Sequence, residues 1–380
     1  MLAEGLRMGL HDEPSSGPSG GAPPDGPGAA EDRGPAIEPA RPAPHVPALP
    51  APGRTASAET IFAHRPVMLA EVVELFGAPS VPPGVVLDAT VGAGGHARAL
   101  LEAYPELRIV GLDQDPDAVA AATRALAGSP GRATVTKARF DELGEVLDSL
   151  GVPSLAGALF DLGVSSPQLD SPARGFSFRA EGPLDMRMDP SQGQTAAELI
   201  ATSSEAQLAR LFSEHGEARF AHRIAAAVVA ARPIRTTQAL ADLVSAAVPA
   251  AARRRGHPAK RVFQALRAAV NSELVVLPRA IDAAMRRLAP GGRIVVISYH
   301  SGEDRLVKQQ FSEAATGGCT CPPGLPCVCG AVPRARLLNR GARMPTAEEL
   351  AANPRARSAR LRAAEALGPE PAPISRKEGR

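Results

Sequence analysis

The sequence predicts an α/β domain built on a parallel β-sheet, covered on both faces and interrupted by a helical insertion. Three observations carry that prediction. Short runs rich in Val, Leu and Ile alternate with longer Ala-rich helical patterns, a glycine-rich turn follows the first such run, and between about Ser165 and Asn271 the alternation gives way to helical spacing.

VVLDAT (Val85 to Thr90) is the first predicted strand, followed by a glycine-rich turn and the helical HARALLEAY. RIVGLD (Arg108 to Asp113) is the second, ahead of the helical PDAVAAATRALA; TVTKARF (Thr134 to Phe140) is the third and GALFDLGV (Gly157 to Val164) the fourth. Runs that are apolar nearly throughout belong to strands buried on both faces. AAELIATSSEAQLARLF, RFAHRIAAAVVAAR and TTQALADLVSAAV then place apolar residues at helical spacing. In SELVVLPRAIDAAMRRLAPGGRIVVISYH a helix ends at the Pro290 to Gly292 turn and a fifth strand runs from Arg293 to Tyr299. The alternation in NPRARSARLR, with Arg355, Arg357, Arg360 and Arg362, fits a final strand with one polar face. The expected layout is an arm (1–60), a discontinuous α/β domain (61–168 and 272–367), an inserted helical substrate-recognition subdomain (169–271) and a flexible tail (368–380).

Composition narrows the class. The arm is mostly Pro, Gly, Ala and Ser, which cannot repay the entropy of folding, so it is read as disordered. Its start, MLAEGLRMGLHDEPSSGPSG, lacks the apolar run of a secretion signal. No uncharged apolar stretch reaches the roughly 18 residues of a membrane span, so a soluble cytoplasmic protein is expected. A net charge of +2 names no partner, but arginines gather after Arg253, so local patches matter more than the total. With no Trp and 3% aromatic residues, the core is expected to be mainly Ala, Val and Leu, and stacking on a base is limited to a few positions such as Phe176 and Phe178. Either phenylalanine could instead hold its own loop down.

Cys319, Cys321, Cys327 and Cys329 share one segment, CTCPPGLPCVC, which is not the framework of a disulfide-rich secreted domain. Zinc sites prefer a wider spacing than these C-x-C pairs. A reduced, Pro-stiffened loop is therefore preferred to a zinc site, and no metal ligand is assigned.

In DATVGAGGH (Asp88 to His96), glycines let the backbone approach a ligand and a helix N-terminus offers N–H groups behind them. After Gly92 and Gly94, the third glycine of a dinucleotide fingerprint would fall at Ala97, which argues against a nicotinamide oxidoreductase. Asp113 ends the second strand, where a carboxylate can accept from both hydroxyls of a ribose; the alternative task of capping the next helix suits Asp115 better. RRRGHPAKR (Arg253 to Arg261) gathers Arg253, Arg254, Arg255, Lys260 and Arg261 into a phosphate-binding surface or a solvated helix end.

The stretch FDLGVSSPQLDSPARGFSFRAEGPLDMRMDP (Phe160 to Pro190) is the most specific feature. Together with HRPVML, DATVGAGGH, HPAKRVFQALRAAVNSEL, GGRIVVISYHSGEDR and NPRARSARLR, it closely resembles the ribosomal RNA small-subunit methyltransferase H family, also called MraW, from about His64 to about Leu367. The resemblance implies a Rossmann-like class I S-adenosylmethionine-dependent methyltransferase. Its members methylate the N4 amine of a cytidine in the decoding region of 16S ribosomal RNA, within the small ribosomal subunit, and a homodimer is implied. It also implies that Gly94, Gly95, His96, Asp113, Phe140, Asp161 and Gln168 bind the cofactor. Asp161 is the carboxylate best placed to pull the amine out of conjugation and take its proton; Ser165, Ser166, backbone carbonyls and His300 are the other acceptors. Gly302 departs from the family pattern, which usually has a bulkier apolar residue there. A non-catalytic RNA-binding assembly factor on the same scaffold is the competing class. Such a factor is expected to have lost Asp113, Asp161 or the Gly-Gly-His, all of which are present.

Overall fold

The computed structural model describes residues 65–77, 81–253, 256–322 and 328–368. The expected arm, the tail from residue 369, and His64, Arg254, Arg255 and Cys327 lie outside the described residues.

The strands β1 (Gly84–Asp88), β2 (Leu107–Asp113), β3 (Ala133–Lys137), β4 (Leu155–Asp161), β5 (Leu288–Ser298), β6 (Ala335–Leu337) and β7 (Arg360–Ala366) form one sheet in the order β3-β2-β1-β4-β5-β7-β6. The first five run parallel, and β7 lies antiparallel between β5 and β6. The strand order reverses direction between β1 and β4, and open α/β sheets bind ligands beyond the strand C-termini at such a point.

Several strand boundaries differ from the sequence reading. β1 ends at Asp88, before Thr90, and most of NPRARSARLR is a 3₁₀ turn (Pro354–Ser358) capped by Asn353, so β7 begins only at Arg360. β3 stops at Lys137, and Phe140 opens a short 3₁₀ turn instead of closing the strand. β4 ends at Asp161, before Gly163 turns the chain at φ 98°. β5 begins at Leu288, five residues early, with an irregularity in its register against β4 that absorbs the Pro-Gly-Gly turn. The three-residue β6 has no apolar run to announce it.

Alternate residues of each central strand face opposite helical layers. Val86, Ile109, Leu159 and Val295 pack with α1 (Leu69–Gly77), α2 (Gly95–Ala103) and α3 (Pro116–Leu126). Leu87, Leu112, Phe160 and Val296 pack on the other side, against α4 (Leu143–Ser149), α12 (Glu273–Arg287) and α13 (Ser301–Thr316). Two-sided burial is the physical cause of the continuous apolar runs.

Between β4 and α12 come the short α5 (Ser166–Asp170) and then α6 (Ala196–Thr202), α7 (Glu205–Phe212), α8 (Ala221–Ala230), α9 (Thr237–Ala247), α10 (Ala250–Arg253) and α11 (Ala259–Val270). The pattern AAELIATSSEAQLARLF proves to be two helices: Ser204 accepts a hydrogen bond from the Gln207 N–H and starts α7 with a capping box of its own. Phe212, Ile224, Leu240 and Leu266 join Phe176 and Met186 in a hydrophobic cluster separate from those flanking the sheet. A last helix, α14 (Ala347–Ala352), precedes β7.

The segment DMRMDP fastens the insertion to the sheet edge. Asn271 accepts from the Met188 N–H at 2.8 Å and donates to the Met186 carbonyl at 2.9 Å, while Asp189 holds Lys137 of β3 at 2.8 Å. Among the described residues no helix is long and apolar enough to cross a membrane.

Candidate functional site

The ends of β1, β2 and β4 deliver Asp88, Asp113 and Asp161 to one edge of the sheet, and Tyr299 follows β5 there. In the turn after β1, Gly94 caps α2 at φ 82°, and a Cβ on Gly95 would stand 2.4 Å from Pro66. Close packing thus demands these two glycines whatever the turn binds. Gly92 differs: it is left-handed at φ 51°, and a Cβ there would meet nothing nearer than the Thr90 carbonyl oxygen at 3.9 Å. Its N–H donates to Asp113 Oδ2 at 3.0 Å.

Asp113 Oδ1 accepts from the Asp115 N–H at 2.9 Å. Burial pushes the carboxyl up to about 6, against the pull of these backbone bonds. A carboxylate has roughly four acceptor positions, so room remains for the paired hydroxyls of a ribose.

Asp115 does more than cap α3. One oxygen accepts from the Asp117 N–H at 3.0 Å; the other accepts from Gln168 Nε2 at 2.7 Å and lies 2.9 Å from the Arg174 guanidinium. Gln168 is buried, and its Oε1 accepts from the Ser165 N–H at 2.9 Å. Arg174 also donates to the carbonyls of Arg187 and Met188, so the loop after β4 is tied to both α3 and the DMRMDP segment. Gly92, Ala93, Asp115, Ser165, Ser171 and Arg174 are among the residues lining a cavity of about 160 Å³. None of the cofactor-binding residues expected from the sequence lines this cavity; Asp113 and Gln168 are bonded directly to residues that do.

Asp161 has a second set of partners. Its N–H donates to Thr90 Oγ1 at 2.7 Å, the Tyr299 hydroxyl donates to its Oδ1 at 2.7 Å, and His96 Nδ1 lies 3.7 Å from its Oδ2. His96 is buried, with Nε2 3.0 Å from the Val67 carbonyl; a proton on Nε2 satisfies that acceptor and leaves Nδ1 facing Asp161. Burial raises the Asp161 carboxyl above the ordinary carboxylate range, opposed by His96 and by the Tyr299 hydroxyl. Burial and the neighbouring Asp161 push the Tyr299 phenol well up. Asp88, 1% exposed, is pushed by burial to about 8.

Other sequence candidates have structural partners. Phe140 packs edge-on against Phe160, with centroids 6.1 Å apart. Phe176 is buried in the helical core, and Phe178 stacks on His257 at 4.5 Å. His300 caps α13: its Nδ1 accepts from the Glu303 N–H, and its Nε2 lies 2.9 Å from Glu303 Oε1. Glu303 also lies near Arg267, which holds Glu273 through two hydrogen bonds, so His300 belongs to a buried network joining α11, α12 and α13. Arg360 and Arg362 grip Asp304, and Arg355 bonds Ser166 and Asp170, so three of the final arginines anchor local structure. A Cβ on Gly302 would meet the His300 ring at 3.1 Å, so the smaller residue here fits against that ring.

The MraW methylase family model matches residues 61–367. The chain belongs to this family. The ribosomal RNA small subunit methyltransferase H of Thermobifida fusca is 54% identical over 309 residues, covering 80% of this chain and 93% of that protein. That of Heliobacterium modesticaldum is 48% identical over 314 residues, covering 81% and 99%. This MraW-family chain is a methyltransferase with a Rossmann-like, class I fold, and S-adenosylmethionine is its cofactor. Sequence reasoning assigned no site role to Asp88, Thr90, Arg174 or Tyr299 and gave Asp115 only a cap. The local signal for Tyr299 was its position just past the fifth strand; no local signal pairs it with Asp161, 138 residues away.

Proposed function

We propose that this methyltransferase modifies the N4 amine of a cytidine in the decoding region of 16S ribosomal RNA, in the cytoplasm. The observation that carries the chemistry is the Asp161 carboxyl, raised by burial, held by Tyr299 and left 23% exposed at the sheet edge beside the Gly-rich turn. The donor set fits the cofactor: Asp113 has spare acceptor positions for a ribose, and Gly92 leaves space beside it. When bound, S-adenosylmethionine supplies an electrophilic methyl carbon on a sulfur that departs neutral, so the protein need not furnish an acid.

What the chain must supply is alignment and a proton acceptor. The amine lone pair of cytosine is delocalised into its ring. An Asp161 oxygen accepting from one N4–H would turn the lone pair toward the methyl carbon and then take the proton. The Tyr299 hydroxyl fixes Oδ1, which leaves Oδ2, the oxygen facing His96, for the amine. The elevated affinity of the carboxyl for a proton suits that acceptance. Drawing the base out of its stack costs roughly a few kcal/mol, less at a distorted or single-stranded site. We assign recognition of that site to the inserted unit (169–271), where Arg253 and Lys260 offer phosphate contacts, while Arg261 is paired with the buried Glu217 at 3.3 Å. The homodimer is likewise a proposal, measured by sedimentation of the purified chain.

The test is incubation of the full chain with methyl-labelled cofactor and small ribosomal subunits from cells lacking this gene, followed by nucleoside analysis. N4-methylcytidine at one decoding-region position is expected. Label on carbon or on a ribose oxygen, or no label in the RNA, would refute the assignment.

A further inference from the structure

The cysteine segment has no part in methyl transfer as described above. It begins where α13 ends, in two left-handed glycines, Gly317 at φ 63° and Gly318 at φ 74°. The returning chain passes hard against that helix end: a Cβ on Gly317 would stand 2.4 Å from the Val332 backbone, and the Arg334 N–H donates to the Ala314 carbonyl at 2.7 Å. The described cysteines are thereby brought together from both sides of the loop. Ligand atoms of Cys319, Cys321 and Cys329 all lie within 4.8 Å of one another, and the Cys319 and Cys329 sulfurs are 3.6 Å apart.

We propose that Cys319, Cys321 and Cys329 bind one zinc ion, which clips the end of α13 to the chain returning toward β6. Two thiolates at about 2.3 Å from one tetrahedral zinc stand about 3.8 Å apart, close to the observed pair. A disulfide needs about 2.05 Å, well short of the 3.6 Å between the Cys319 and Cys329 sulfurs. The C-x-C spacing that argued against zinc in the sequence matters less once the loop closes, because the converging sulfurs come from its opposite ends. Apolar burial does little to hold the segment, since Val328 is 89% and Val332 59% exposed. Backbone N–H groups of Val328 and Cys329 are aimed at the Cys321 sulfur. Such N–H groups stabilise a thiolate, the form that binds metal. Cys327 lies outside the described residues.

The experiment uses the full chain purified under reducing, chelator-free conditions and analysed for metal by mass spectrometry. About one zinc per chain is expected, with loss of that equivalent in the C319S/C321S/C329S variant while methyl transfer to small subunits persists. Cobalt substitution should give a thiolate-to-metal charge-transfer band in the wild type that the variant lacks. Should the triple variant not fold, thiol labelling of the wild type decides: a chelator should accelerate labelling of these cysteines. Metal-free wild type with all its thiols reacting at once, or zinc undiminished in a folded triple variant, would overturn the site.

Discussion

Replacing Asp115 by Ala tests whether one buried carboxylate holds the cofactor-side loops together. The side chain caps α3, accepts from Gln168 and neutralises Arg174, and the residue is only 1% exposed. Loss of the cap costs about 1 kcal/mol. Leaving a buried cation without its partner costs about 3–5 kcal/mol. Arg174 keeps its bonds to the Arg187 and Met188 carbonyls, and Asp117 lies 3.4 Å from it, so the lower end applies and the sum is about 4 kcal/mol. At about 2–4 °C per kcal/mol for a domain of 150–250 residues, and toward the smaller value for this larger chain, D115A should lower Tm by about 8–12 °C. D115N keeps one oxygen for the cap but loses the charge and turns an amide NH₂ toward Gln168 and Arg174, so it should recover only the cap and fall by about three-quarters as much. Differential scanning calorimetry measures both, and isothermal titration with S-adenosylmethionine should show weaker binding, because Asp115 holds Gln168, one of the residues expected to bind the cofactor. A D115A shift below about 2 °C, or D115N as damaging as D115A, would refute the reasoning.

D161N should slow single-turnover methyl transfer by about 10²–10⁴ with little change in Tm; full activity would remove Asp161 from proton acceptance. Y299F removes a hydrogen bond that lowers the Asp161 carboxyl, so the rising limb of its pH–rate profile should move to higher pH, and an unmoved limb would discount the contact. Asp88 is raised from 3.8 to about 8, so the unfolded chain releases its proton first and the wild type loses stability as pH climbs through that window. D88N should therefore gain on the wild type across the window in urea titrations and converge with it at the acid end; a constant difference would count against a protonated Asp88. K260A should weaken RNA binding for all sequences alike and reduce the salt slope of log K by about 0.9, and an unchanged slope would take Lys260 off the phosphates.

Much of the fold was legible because its signals are local. The apolar runs around Val86, Ile109, Leu159 and Val295 announced strands buried on both faces, and the switch to helical spacing after Ser165 announced the insertion. Asp115 was readable as a cap because capping is settled within two residues. Boundaries failed where local chemistry was subtler, as at Ser204, whose capping box divides one apparent helix into two.

By itself the sequence determined that Asp113 closes the second strand, that Asp88 and Asp161 fall within the first and fourth apolar runs, and that a glycine turn follows the first. Only the tertiary structure decided that Tyr299 and His96 share Asp161, that Arg174 and Gln168 meet on Asp115, that His300 caps a helix, and that three cysteine sulfurs converge. The reason is physical: periodicity and capping depend on neighbours within a turn or two of chain, whereas these partners lie up to 138 residues apart and meet only once sheet order and layer packing set their distances.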